Sequence, residues 1–274
     1  MKPRLSAVFV LLGLATSVAA RAADLPAPAV APAPAVYDWT GFYLGVNAGY
    51  GWNTGDGPLT CVGPTGVSFA TGCGLIPFAG LKPAGPLGGG QAGYNWQAGQ
   101  YLVGLESDFQ WSDIQGSTRT NGPWPHVNTL AISPATSFFT ASHKIDWFGT
   151  TRLRIGYAGF DRTLIYATGG LIYARVDEQT AVVHQETGIS YPVSESVNRA
   201  GWTAGAGIEY AMTRNVTAKL EGLYYDLGED TISSHSVPLV NGFTRGMTFE
   251  TRGAIVRAGL NYKFDWGGPV VARY

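Results

Sequence analysis

The chain has 274 residues, a formal net charge of −1 and only 14% charged residues, against roughly 25% in ordinary soluble domains. Glycine, at 38 residues, is about twice its usual share, and aromatics reach 12%. The charge balance argues against a nucleic-acid partner, and 45% apolar content argues against disorder for most of the chain.

Lys2 and Arg4 precede an apolar run, Leu5 to Ala20, which ends in the small-residue pattern Ala20-Arg21-Ala22. This is the layout of a secretory signal peptide, expected over 1–22. The run is short for a membrane-spanning helix of about 20 residues, and no other long charge-poor run exists to make one. Removing Lys2, Arg4 and Arg21 leaves 15 basic residues against 19 acidic ones. The segment 23–37 (ADLPAPAVAPAPAVY) is dominated by Pro and Ala and reads as an extended linker. Export sets an oxidising context, so Cys61 and Cys73, the only cysteines, are candidates for a disulfide in a Gly- and Pro-rich stretch. Two cysteines without a nearby His lack the ligand count for a metal.

From Trp39 onward the hydrophobic period is two. Phe42, Leu44, Val46, Ala48, Tyr50 and Trp52 alternate with Tyr43, Gly45, Asn47, Gly49 and Gly51. The second segment sets Ala92, Tyr94 and Trp96 against Gln91, Gly93 and Asn95. In the third, Val103, Leu105, Phe109 and Trp111 oppose Gly104, Glu106, Asp108 and Gln110. The fourth sets Ile145, Trp147, Leu153, Ile155 and Tyr157 against Asp146, Arg152 and Arg154. Around 162–175 both parities are apolar and the faces cannot be assigned. Trp202 to Tyr210, Val216 to Tyr224 and Ala254 to Phe264 alternate again. That makes eight strands.

Their connections alternate strictly. Long stretches follow the first, third, fifth and seventh segments, whereas Ala98-Gly99-Gln100, Ala158 to Asp161 and Thr213-Arg214-Asn215 are tight turns. A transmembrane up-and-down barrel needs this arrangement, with short periplasmic turns on one rim and long extracellular loops on the other. The expected fold is therefore all-β: an eight-stranded antiparallel transmembrane β-barrel over 38–264, with a tail over 265–274.

Cost decides which face meets lipid. Glu106, Asp108, Arg152, Arg154, Glu209, Lys219, Glu221, Arg257 and Lys263 share the polar parity. One Arg or Lys held toward lipid at mid-depth costs roughly 2–4 kcal/mol, and several would exceed a domain's net stability of about 5–15 kcal/mol. These nine residues are expected to form a charge network in the lumen. Gly45, Gly49, Gly205 and Gly207 on the same parity would make room for it. Trp39, Trp52, Trp96, Trp111, Trp147 and Trp202 lie near strand ends, where interfacial aromatic girdles belong.

The segment Tyr37 to Trp52 (YDWTGFYLGVNAGYGW) resembles the opening strand of the Omp25/Omp31-type outer-membrane proteins of alphaproteobacteria. Arg257 to Phe264 (RAGLNYKF) is similar to the closing strand of that family, and Tyr166 to Tyr173 (YATGGLIY) to a recurring inner segment. The resemblance covers the whole mature chain. It implies an OmpA-like or opacity-like barrel in a Gram-negative outer membrane, in contact with its lipid and lipopolysaccharide. It also implies a terminal aromatic read by the barrel-assembly machinery, for which Phe264 and Tyr274 are both candidates. Some family members bind haemin.

Catalytic chemistry is missing. Gly88, Gly90 and Gly93 satisfy the dinucleotide fingerprint literally but lack the strand–turn–helix setting that gives it meaning. His126, His143, His184 and His235 are dispersed in or beside expected loops, and His235-Ser236 has no third triad member. No enzyme, cofactor or metal site is expected. The chain reads as a structural and surface-interaction barrel whose loops carry any contact with host or cell-surface ligands. A narrow porin and a haem-binding surface protein are the alternatives.

Overall fold

A computed structural model describes residues 37–54, 59–62, 80–123, 137–185, 188–235 and 244–264, apart from the side chains of 59–62, 244 and 245. Among these residues there are strands and no helices. The strands are β1 (Gly41–Asn53), β2 (Leu59–Val62), β3 (Ala84–Ala98), β4 (Tyr101–Asn121), β5 (Phe138–Phe160), β6 (Thr163–His184), β7 (Ile189–Ala211), β8 (Val216–His235) and β9 (Thr244–Lys263). Each long strand pairs antiparallel with the next in chain order, and β9 returns to β1 through Tyr43↔Lys263 to Asn53↔Gly253. Through the lipid-facing band the ring therefore has eight strands and no edge, which satisfies the backbone in a solvent that offers no hydrogen bonds; above it the β7–β8 pairing stops at Trp202↔Asp226. The short β2, unforeseen from the sequence, extends the sheet by pairing Leu59↔Met247 to Val62↔Thr244 of β9. Four residues carry too little alternation to announce a strand.

One rim is made of tight turns. Gly99 takes a left-handed φ of 63° between β3 and β4, and Arg162 takes φ 56° between β5 and β6. On the other rim the strands run further than their lipid-facing alternation suggested. The stretch after β6, expected as a loop of about twenty residues, is strand up to His184 and again from Ile189.

The reason is that the alternation changes sense partway up. In the lower barrel Leu44, Val46, Val103, Leu105, Leu153, Ile155, Leu171, Leu220, Val256 and Leu260 face outward and are exposed. Higher up, the exposed positions become polar (Gln115, Ser117, Arg119, Gln179, Ser194), while Ile114, Phe139, Ala141, Ile145, Val182, Ile232 and Phe249 are buried inside. Register shifts between Trp111 and Ile114 on β4, and between Ile145 and Trp147 on β5, mark the change. The β5 shift, an extra residue at Asp146, reverses the parity. Ile145, read from the sequence as lipid-facing, is consequently buried in the lumen. The ambiguous β6 is resolved too: Leu164, Tyr166, Ile172, Ala174 and Val176 point inward and Ile165, Leu171 and Tyr173 outward.

Two outward aromatic belts bound the apolar band. Tyr94, Trp96, Tyr101, Tyr157, Tyr210 and Tyr262 stand toward the short-turn rim; Tyr50, Trp52, Phe109, Trp111, Tyr173, Trp202 and Tyr224 stand above. Trp147 stacks on Phe109 at 5.6 Å in the upper belt. Between Val103, level with Trp96, and Trp111 the wall rises roughly 20 Å at ~3.3 Å per residue and the usual tilt. Trp39 is the exception. It is 2% exposed and packs with Leu102, Ala158, Leu164, Tyr166 and Ala211 as a plug in the lower mouth. It sits on the approach to β1, below the first lipid-facing residue, so the chain carries it across the opening.

Inward glycines fit long side chains. A Cβ at Gly207 would lie 2.5 Å from the Tyr166 ring and 2.9 Å from the Leu220 carbonyl oxygen. Gly207→Val should destabilise by about 1–3 kcal/mol through overpacking, seen as an earlier urea midpoint in detergent with an unchanged slope.

Candidate functional site: a layered lumen and a projecting polar wall

Charged side chains point inward from five strands and meet at one level. Glu106 and Asp108 come from β4, Arg152 and Arg154 from β5, Glu209 from β7, Lys219 and Glu221 from β8, and Arg257 from β9; each is at most 4% exposed. Four carboxylates thus oppose four cations, and the layer is neutral. Glu106 is its hub. One oxygen accepts from Arg152 at 2.6 Å and Lys219 at 2.9 Å; the other accepts from Lys219 at 2.9 Å and the Tyr43 hydroxyl at 2.7 Å. Asp108 accepts from Thr150 at 2.7 Å, Arg257 at 2.8 Å and Arg152 at 3.0 Å. Glu221 takes Arg257 at 2.7 Å and the Tyr166 hydroxyl at 2.9 Å. Arg154 bridges Glu209 at 2.7 Å and Tyr43 at 2.6 Å, with its guanidinium 4.0 Å from the Tyr166 ring centre.

Eight of the nine charged residues singled out in the sequence are brought together here. Lys263 is not: it lies half-buried at the lower rim, where its ammonium donates to the Asp38 carbonyl and sits 4.8 Å from the Tyr37 ring centre. It follows Asn261, the last fully buried residue of β9, and so falls below the layer. Asn261, Gln91 and Asn47 form an amide chain beside it, Asn261 donating to Glu209 at 2.7 Å and Asn47 to Gln91 at 2.9 Å.

Above the charges the lumen turns apolar. Leu87, Ile114, Ile145, Phe148, Ile172, Ala174, Val176, Leu223, Tyr225, Leu227 and Ile255 form one buried cluster. A second polar level follows, in which Arg199 donates to Glu178 at 2.8 Å and to Asp230 at 3.1 Å, while His143 Nδ1 stands 3.6 Å from Glu178. Phe139, Val182, Tyr191, Ile232, Met247 and Phe249 then close the projecting part. Among the described residues, oily and ionic slabs therefore alternate along the lumen. Sequence reading had found the ionic slab and missed the oily ones, because Phe148 and Ile172 lie inside segments whose faces were blurred or shifted.

The remaining sequence candidates fall as follows. His143 and His184 are buried inside the wall, not in loops, and His235 is exposed on β8; His126 lies outside the described residues. Cys61 belongs to β2, opposite Arg245, but its side chain and Cys73 lie outside the described residues, as do the signal segment, the linker apart from Tyr37, and the tail with Tyr274. Phe264 follows β9, packing on Phe42 at 5.8 Å and Tyr262 at 5.0 Å. Gly88, Gly90 and Gly93 sit within β3, with no helix after them.

A closed ring of eight tilted strands, an apolar outer band between aromatic belts and a charged interior define a transmembrane β-barrel of the outer-membrane class. The chain belongs to the outer membrane protein beta-barrel domain family, whose model matches residues 9–264. It is 36% identical over 256 residues to the 31 kDa outer-membrane immunogenic protein of Brucella melitensis, covering 90% of this chain and 95% of that one. It is 32% identical over 179 residues to a 22 kDa outer membrane protein of Rhizobium leguminosarum, covering 64% and 66%. The 25 kDa outer-membrane immunogenic protein of Brucella abortus is 27% identical, covering 87% of this chain and 85% of that one. In fold it is similar to the outer membrane protein OprG of Pseudomonas aeruginosa, with TM-score 0.52 and 14% identity over 84% of this chain and 99% of that one. The protein is thus of the Omp25/Omp31 type and resides in the outer membrane, its tight turns toward the periplasm and its extended hairpins toward the exterior.

Proposed function

We propose that the protein is a non-conducting outer-membrane barrel that strengthens the envelope and presents its projecting wall and loops to the exterior as an interaction surface. The observation that carries this reading is the lumen, in which a neutral layer of eight ionised side chains is capped above by Phe148, Ile114 and Ile145 and below by Trp39. Eight strands leave an interior just wide enough for side chains to fill. The outer face above the upper belt supports the second half: it is polar, held on paired strands, and rigid scaffolds of this kind are where binding surfaces sit. In planar bilayers the purified protein should give no sustained ohmic steps under conditions in which a general porin conducts. Regular, voltage-independent steps would overturn the sealed lumen and return the narrow-porin reading.

A further inference from the structure

The polar wall is not uniform. Across β4, β5, β6 and β7 a groove of about 580 Å³ lies above the upper belt, walled by Arg119, Gln179 and Pro192 around the small residues Ser142, Ala181 and Ser194. Four of its outward positions line up in one row, Ser117↔Ser142↔Gln179↔Ser194. Arg119 is held in place. Its guanidinium lies 3.9 Å from the Phe138 ring centre, and its Nε–H donates to Asn121 at 3.2 Å, leaving the two terminal nitrogens without a protein partner among the described residues. Hydroxyls, an amide and a planar cation over a proline-lined wall are the groups that recognise sugar hydroxyls.

Height identifies the occupant. Six residues of β4 separate Trp111 from Ser117, which places the row roughly 15 Å above the upper belt. Below the groove on the same face stand Lys144, in register with Gln115, and Arg175, in register with Trp147 of the upper belt, both about half exposed. Lys144 is paired with Asp146 at 2.8 Å and Arg175 lies 3.9 Å from Asp177; Asp113 faces the same zone. Going up the wall, the order is therefore aromatic belt, a mixed zone in which both cations are paired with carboxylates, hydroxyl groove. A glycolipid of the outer leaflet lays its acyl chains against the apolar band and carries its sugars above the interface, at the height of the groove. We propose that this groove binds the saccharide headgroup of a glycolipid of the outer leaflet, with Arg119, Gln179 and Ser194 at its sugars. This inference rests on the placement in the membrane and not on the sealed lumen.

The test uses the full chain folded in detergent micelles, with two probes: lipopolysaccharide truncated to its inner-core sugars, and lipid A without them. Affinity is read from the rise in the thermal midpoint with lipid concentration. Core-bearing lipid should bind at least tenfold more tightly than lipid A. Ala181→Trp, which fills the groove from an outward position, and the double variant Arg119→Gln/Gln179→Ala should each remove that preference while leaving lipid A affinity unchanged. The heat-dependent gel shift of a folded barrel reports that each variant is native, and the double variant adds no bulk should the Trp perturb folding. Equal affinity for the two probes, or a preference that survives both variants, would overturn the site. Free core oligosaccharide binding as tightly as the intact lipid would overturn the membrane lipid as its occupant.

Discussion

Glu106→Leu is expected to destabilise the barrel by about 3–5 kcal/mol, the cost of leaving a buried charge without its partner. The side chain is wholly buried and contacts Arg152, Lys219, Arg154 and Tyr43. Its loss changes a neutral layer into one with an unbalanced cation, in a region the solvent cannot reach. Arg152→Leu should cost a similar amount with the opposite sign of charge, since it abandons Glu106, Asp108 and Glu221 together. The double variant restores neutrality and should cost clearly less than the sum of the singles, because the two residues share one network. Urea unfolding in micelles measures all three. Curves superimposable on the unsubstituted protein would mean that these side chains are not where the ring places them. The native layer as a whole need not be more stable than a well-packed apolar one of equal volume. What it does is fix which parity faces inward.

Phe148→Ala is expected to cost a comparable ~3–5 kcal/mol, for the different reason that a cavity opens among groups unable to collapse onto it. Phe148 is 2% exposed and sits among Ile114, Ile145, Ile172, Tyr225 and Ile255, all anchored to a hydrogen-bonded wall. The same variant should remain silent in planar bilayers, because the ionic slab beneath still fills the cross-section. A variant as stable as the parent would show that the lumen is loosely packed at this level. Conductance appearing with Phe148→Ala alone would show that the apolar slab, and not the charges, seals the barrel.

The sequence made the ring legible because lipid imposes a harsh rule: along Val103 to Trp111 or Ala254 to Phe264 every second residue but Ser107 is oily, and every charge takes the other parity. Eight of the nine charges that this rule assigns to the lumen meet in the buried layer, and Lys263 does not. The rule fails where its cause fails. Above the upper belt the outside is water, so β4 to β9 continue with polar groups outward and apolar groups inward, and a search for lipid-facing alternation stops short of strands that persist to His184 and His235. Ile145 was placed on the wrong face because the extra residue at Asp146 leaves no mark in the hydrophobic pattern. Trp39 was read as an interfacial residue from its type and position, whereas the turn before β1 folds it under the barrel. The hydroxyl groove had no signal at all, since Ser142, Gln179 and Ser194 are adjacent only through the register of four strands.

The change of sense at the upper belt has a consequence for what another cell, an antibody or a protease encounters. Between β6 and β7 the pairing runs up to His184↔Ile189, and both strands are locked into ladders from Phe138↔Val183 to Thr163↔Tyr210. An antibody reaching this stretch would therefore meet side chains assembled from neighbouring strands and not a linear peptide, and an external protease would find its backbone held in ladders.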